Sequence, residues 1–150
     1  MKSCFFIGHR ETSSELLPIL TQVVEKHISE YGVTEFIVGR YGGFDHLAAK
    51  AVISLKQNYP QITLSLLIPY HPAERPIETP TGFDNTYYPP GMEKVPRKLA
   101  ILRANRYMVD HVDYLIAYAW HPASNARKLV AYADKRARDQ QLTITMLEIQ

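Results

Sequence analysis

Short runs rich in apolar residues alternate along this chain with longer stretches in which apolar residues recur every three or four positions. The runs are Cys4-Phe5-Phe6-Ile7, Glu35-Phe36-Ile37-Val38, Ile62 to Ile68, Val112 to Tyr118 and Leu142 to Leu147, and the first two stop at glycine (Gly8 and Gly39). The first, continuously apolar and ended by glycine, predicts a strand covered on both faces, and the others predict four further strands. Between the runs, Leu16, Leu17, Leu20, Val23, Val24, Ile28 and Tyr31 keep helical spacing up to Gly32. The same spacing holds for Leu47, Ala48, Ala51, Val52 and Leu55, for Leu99, Leu102, Tyr107 and Met108 after Pro96, and for Leu129, Val130, Tyr132, Ala133 and Ala137. One apolar stripe per stretch predicts four helices, each lying against a sheet. Thr12-Ser13-Ser14-Glu15 matches a capping box for the first helix, Asp45 is a candidate N-cap for the second, and Ser124 or Asn125 for the last.

Strand and helix therefore alternate without a repeat or an interior linker. This predicts a single α/β domain over residues 1–150: a parallel five-stranded sheet with helices on both faces, a three-layer arrangement of Rossmann-like type joined by right-handed crossovers. The segment 69–94 breaks the rhythm. It holds six of the ten prolines and is expected to be irregular, while Tyr70, Phe83, Tyr87 and Tyr88 favour an ordered lid. Ligands of such sheets sit outside the carboxyl ends of the strands, where strand order reverses. The search for chemistry thus narrows to the loops at 8–12, 39–45, 69–94 and 119–125.

Composition removes several function classes. Seventeen basic against fifteen acidic residues leave a net charge of +2, too mild for the concentrated basic face that nucleic acid selects. Lys135-Arg136-Ala137-Arg138, late in the last helix, reads as ordinary helix-end stabilisation. The single cysteine, Cys4, lies in an apolar run and reads as a small buried hydrophobe in a reducing compartment. No run approaches a membrane span and the apolar start is too short for a secretion signal, so a cytoplasmic location is expected and no membrane partner.

The first loop, Gly8-His9-Arg10, stands between a buried strand and a helix start, where glycine lets backbone approach a ligand and a guanidinium fork fits phosphate. The second, Gly39-Arg40-Tyr41-Gly42-Gly43-Phe44-Asp45, is glycine-rich and resembles an anion nest. In this reading Arg10 and Arg40 hold phosphate, Tyr41 or an aromatic of the long loop stacks on a base, and Asp45 either caps its helix or binds ribose. Neither a P-loop nor the dinucleotide fingerprint is present, so no cofactor is called for.

Four blocks, "FIGHR", "VGRYGGFDHLAAKAV", "YYPPGMEKVPRKLAI" and "NRYMVDHVDYLIAYA", resemble in that order a small bacterial family of the SLOG superfamily. That superfamily includes the DNA-processing protein of natural transformation and the cytokinin-activating phosphoribohydrolases. The resemblance implies a Rossmann-like fold and a nucleotide-related ligand. By position it carries ligand-side roles onto Gly8, His9, Arg10, Gly39, Tyr41, Gly42, Asp45, Tyr88, Gly91 and Glu93, and a helical block onto Asn105, Met108 and Asp110. Two departures stand out. Ala104-Asn105 replaces Arg-Asn, which implies one missing cationic contact. Ser124-Asn125-Ala126 replaces a Gly-Gly motif, where a left-handed Asn and a capping Ser would preserve an anion nest in altered form. The last helix begins Ala126-Arg127-Lys128 with no acid, which counts against the phosphoribohydrolase reaction.

Four histidines (His9, His46, His71, His121) fall in or beside these loops, yet none has a metal-ligand spacing, and no metal is assigned. The functional expectation is binding of a nucleotide-like or other phosphate-bearing small molecule, as a sensor or regulatory domain. Hydrolysis or transfer at an N-glycosidic bond, with Glu93 or Asp45 as the acid, is the alternative; single-stranded nucleic-acid binding is the third. Whether the protein is an enzyme stays open at this point. The resemblance and the ten tyrosines suggest a homodimer.

Overall fold

Six parallel strands, rather than five, form one sheet in the computed structural model, which describes residues 1–148. The chain runs β1 (Lys2–Gly8), α1 (Leu16–Ser29), β2 (Val33–Val38), α2 (Gly43–Leu55), β3 (Thr63–Leu67), β4 (Asn85–Tyr87), α3 (Ala100–His111), β5 (Tyr114–Tyr118), α4 (Asn125–Arg138) and β6 (Thr143–Met146). The order across the sheet is β4-β3-β2-β1-β5-β6. The chain thus builds outward from β1 in one direction, returns, and continues from its other side. The reversal falls between β1 and β5, whose ends are in register at Gly8 and Tyr118.

The unforeseen strand is β4, inside the proline-rich segment. Asn85-Thr86-Tyr87 has no apolar pattern of its own and is a strand because it pairs with Ser65-Leu66-Leu67 at the sheet edge. Asp84 fastens it there: its carboxylate accepts from the Leu64 amide at 2.8 Å and from Lys56 Nζ at 2.7 Å. Residues 85–87 of the expected lid are therefore a sheet edge, and most of the remaining segment is irregular, as expected.

Alternation along the buried strands sends neighbouring side chains to opposite layers. Cys4 and Phe6 of β1 join Phe36, Val38 and Leu64 beneath α1 and α2, whereas Phe5, Ile37, Leu67 and Leu115 pack beneath α3 and α4. Cys4 is fully buried, and desolvation pushes its thiol pKa well up, so it is a packing residue. Among the described residues no helix is long and apolar enough to cross a membrane.

Two helix starts differ from expectation and a third, at Ser124, follows it. Thr12 does not cap: its hydroxyl donates to the His9 carbonyl at 2.7 Å, and α1 begins only at Leu16, behind a turn in which Ser13 Oγ accepts from the Glu15 amide. α2 begins before Asp45, which occupies its first turn and reaches back to accept from the Tyr41 amide at 3.2 Å. α4 is capped by Ser124, whose hydroxyl accepts from the Arg127 amide. Asn125 lies within the helix, and Gln140 alone among the described non-glycine residues has positive φ, so no left-handed nest forms at 124–125.

Candidate functional site

The first two loops interlock beyond the ends of β1 and β2. The Gly43 amide donates to the Arg10 carbonyl at 2.7 Å and the Phe44 amide to the His9 carbonyl at 3.3 Å. A Cβ on Gly42 would lie 2.8 Å from Arg10 Cα, one on Gly43 would lie 2.8 Å from Arg10 O, and one on Gly8 would overlap the Phe44 ring. These glycines allow backbone to pack on backbone. The nest expected over 39–45 is thereby corrected in part: the Gly43 and Phe44 amides are engaged by the protein's own carbonyls.

The interlocked loops form one wall of a cavity of about 650 Å³ at the carboxyl ends of the strands. Gly8, His9, Arg10, Gly39, Tyr41, Gly42 and Asp45 line it from the β1 and β2 sides, and Asn105, Ser124 and Asn125 from α3 and α4. Arg40, Gly43 and Tyr88 lie outside the lining. Arg40 is exposed beside the Tyr41 hydroxyl, and Tyr88 packs edge-on against His71. Glu93 is exposed in a short 3-10 turn outside the cavity. Of the long segment only Pro69 lines the cavity, and its aromatics are engaged elsewhere: Tyr70 lies under Arg75 and Arg97, and Tyr87 packs against Tyr107.

Three cationic lining residues escaped the sequence reading: Lys98, Arg106 and Lys128. Their signal is a helix face. Lys98, Ile101, Leu102, Asn105 and Arg106 share one side of α3 and its leading turn, as Asn125, Lys128, Leu129 and Tyr132 share one side of α4. The core stripe of α3 is Ala100, Ala104 and Met108, with Leu102 43% exposed, so the helix is rotated from the phase its larger residues suggest. Ala104 is therefore buried between the core and the cavity, and Arg106 places a cation in the lining two residues further on.

Among the described residues Arg10, Lys98, Arg106 and Lys128 form no ion pair. Arg106 stands over the Tyr132 ring at 4.8 Å, and its buried Nε has no hydrogen-bond partner. The Tyr132 hydroxyl in turn donates to Asp110 at 2.9 Å, which holds the ring. Asp45 is the single acidic side chain of the lining; burial raises its pKa to about 6, against the opposing hydrogen bond from Tyr41. His9 accepts from the His121 amide at 3.3 Å, and desolvation with the nearby His121 lowers its pKa. Its ring lies edge-on to both Tyr118 and Trp120. Of the four loop histidines these two meet, and among the described residues no three metal-ligating side chains converge.

The expected basic cluster near the end of α4 has structural partners. Arg136 donates to the carbonyls of Val109, Val112 and Gln141, and Arg138 pairs with Asp134 at 2.9 Å.

A parallel sheet with one order reversal, helices on both faces and a cavity at the reversal define a Rossmann-like α/β domain. The chain belongs to the YspA SLOG family, whose sequence model matches residues 4–78, from β1 into the segment beyond β3. No curated protein matches it by sequence. The structure of DNA processing protein A from Helicobacter pylori, described for its single-stranded DNA binding mode, superposes with a TM-score of 0.61 at 15% identity over 99% of this chain and 66% of that one. Two structures of S. aureus TarJ, one in complex with NADPH, score 0.44 and 0.43 at 14% identity. They cover 89% and 87% of this chain, which spans only 44% and 42% of theirs. At such identities the H. pylori likeness speaks to the fold alone. This chain spans just under two-thirds of that protein's length.

Proposed function

We propose that the cavity binds a nucleotide-like, phosphate-bearing small molecule and that the protein acts as a sensor or regulatory domain for it. One observation carries this reading: four cationic side chains line a single cavity with no carboxylate paired to any of them. Like charges gathered around a low-dielectric concavity raise its potential and favour an anionic guest. A buried guanidinium nitrogen without a partner adds a donor awaiting an acceptor. The volume of about 650 Å³ lies within the range of small-molecule sites. Calorimetry with nucleoside monophosphates, ADP-ribose and ribose 5-phosphate tests it. Binding by at least one of them, lost in Arg106→Gln, is the expected result; no heat from any overturns the reading. Arg40, exposed outside the lining, is the control: Arg40→Ala leaves binding unchanged.

Asp45 supports a second reading, cleavage of an N-glycosidic bond. A carboxyl with a pKa of about 6 inside the cavity is partly protonated near neutrality, as a general acid requires. Glu93, outside the cavity, loses that role. Chromatography of incubated nucleoside monophosphates decides: free base released by the wild type and not by Asp45→Asn supports cleavage, and no free base ends it. Single-stranded nucleic acid, the ligand of the H. pylori protein, is the weakest reading here, because both arginines of the α4 cluster already have partners.

A further inference from the structure

We propose that Trp120 is a base-stacking platform at the mouth of the cavity, so that the ligand carries a planar heterocycle as well as a phosphate. This rests on the anion-binding reading above and narrows it to nucleotides held by their base.

Trp120 is the only tryptophan of the chain and is 61% exposed. An indole largely left in water is unfavourable unless something covers it, and among the described residues only the His9 and His121 rings stack near it, at 5.2 and 5.4 Å. Its place is not arbitrary. It follows β5 by two residues, at the reversal of strand order, where β5 pairs with β1 and ligands of such sheets bind. Trp120 itself lies outside the lining, but its ring centroid lies 5.2 Å from that of His9 at 74°, and His9 is a lining residue. His9 is braced on its other side by Tyr118, at 5.4 Å and 68°. Tyr118, His9 and Trp120 thus form a ladder leading from the buried end of β5 to the rim.

The turn that carries the indole is pinned as well. The His121 amide donates to His9 Nε2, the Ala123 amide donates to His121 Nδ1 at 3.1 Å, and Ser124 Oγ donates to the His121 carbonyl at 2.8 Å. Arg127 closes the loop by donating to the Ala119 carbonyl at 3.1 Å. An exposed aromatic on a fixed turn is pre-organised for a flat partner, because ordering it on binding sacrifices little entropy. An exposed aromatic next to a cationic cavity matches the two halves of a nucleotide, a π-face and a phosphate.

The single tryptophan makes the test direct. Intrinsic fluorescence and calorimetry would follow titration of the whole protein with 5′-AMP, GMP, CMP and UMP, and with ribose 5-phosphate as the base-free control. The expected result is that at least one nucleotide changes Trp120 emission and binds about tenfold more tightly than ribose 5-phosphate. Trp120→Leu should bring that nucleotide down to the affinity of ribose 5-phosphate and leave ribose 5-phosphate itself unchanged. Trp120→Phe should recover part of the difference, and equal melting temperatures would show that both variants are folded. If ribose 5-phosphate binds and no nucleotide binds better, or if Trp120→Leu keeps the preference, the platform is overturned while the anion site stands. If nothing in the panel binds, the anion site itself fails, and the platform with it.

Discussion

Asp45 is a carboxyl that the fold holds in its protonated form more firmly than water does. Its pKa rises from 3.8 to about 6 because burial penalises the charge, and the Tyr41 amide offsets only part of this. An acid with a raised folded-state pKa contributes full stability below its unfolded value and loses that contribution as pH climbs through about 6. The free protein should therefore lose stability between pH 4 and 7, by at most about 3 kcal/mol and by less for a side chain open to a cavity. Asp45→Asn, which keeps an acceptor for Tyr41, should flatten that slope; urea midpoints at pH 5 and pH 7.5 check it. Gly8 and Gly43 answer to packing. A methyl group at Gly8 meets the Phe44 ring and one at Gly43 meets Arg10 O, so each Gly→Ala change should destabilise by about 1–3 kcal/mol in denaturant titration. The sequence marks these glycines as special without saying why. Loop chemistry suggests anions, and only the approach of the second loop to the first reveals backbone contact.

At the scale of elements, two segments hang on single side chains. Arg136 satisfies the carbonyls of Val109 and Val112 where α3 ends. Arg136→Ala leaves those acceptors bare and should cost about 1–3 kcal/mol, with faster amide exchange confined to the last turn of α3. Asp84 holds the β4 edge through Lys56 and the Leu64 amide. Asp84→Ala should free residues 82–87, seen as new proteolytic cleavage there with the remainder of the sheet protected. The central strands β1 and β5 are legible as largely apolar runs because a strand buried on both faces must be mostly apolar. β4 is not, since a three-residue edge strand takes its conformation from a neighbour. The buried stripe of α3 differs from the one its larger residues suggest for a related reason: Ala100 and Ala104 permit close packing on the sheet, and close packing, more than residue size, decides which stripe is buried.

The whole molecule places the unpaired cations of α3 and α4 opposite the loops of β1 and β2. In the free protein these charges repel one another, so Arg106→Gln should leave its stability unchanged or raise it by up to about 1 kcal/mol, while removing the thermal stabilisation that a bound nucleotide confers. A melting series with and without ligand separates the two effects. The alternation of apolar runs and apolar stripes by itself determined a three-layer parallel α/β domain and the rim at which to look, because burying strands on both faces leaves few other arrangements. Tertiary structure alone decided what lies at that rim. The amides of Gly43 and Phe44 turn to their own chain, Arg40 lies outside the cavity, and Lys98, Arg106 and Lys128 line it. Which way a polar residue points depends on the element packed across from it, and no local pattern in the chain records that neighbour.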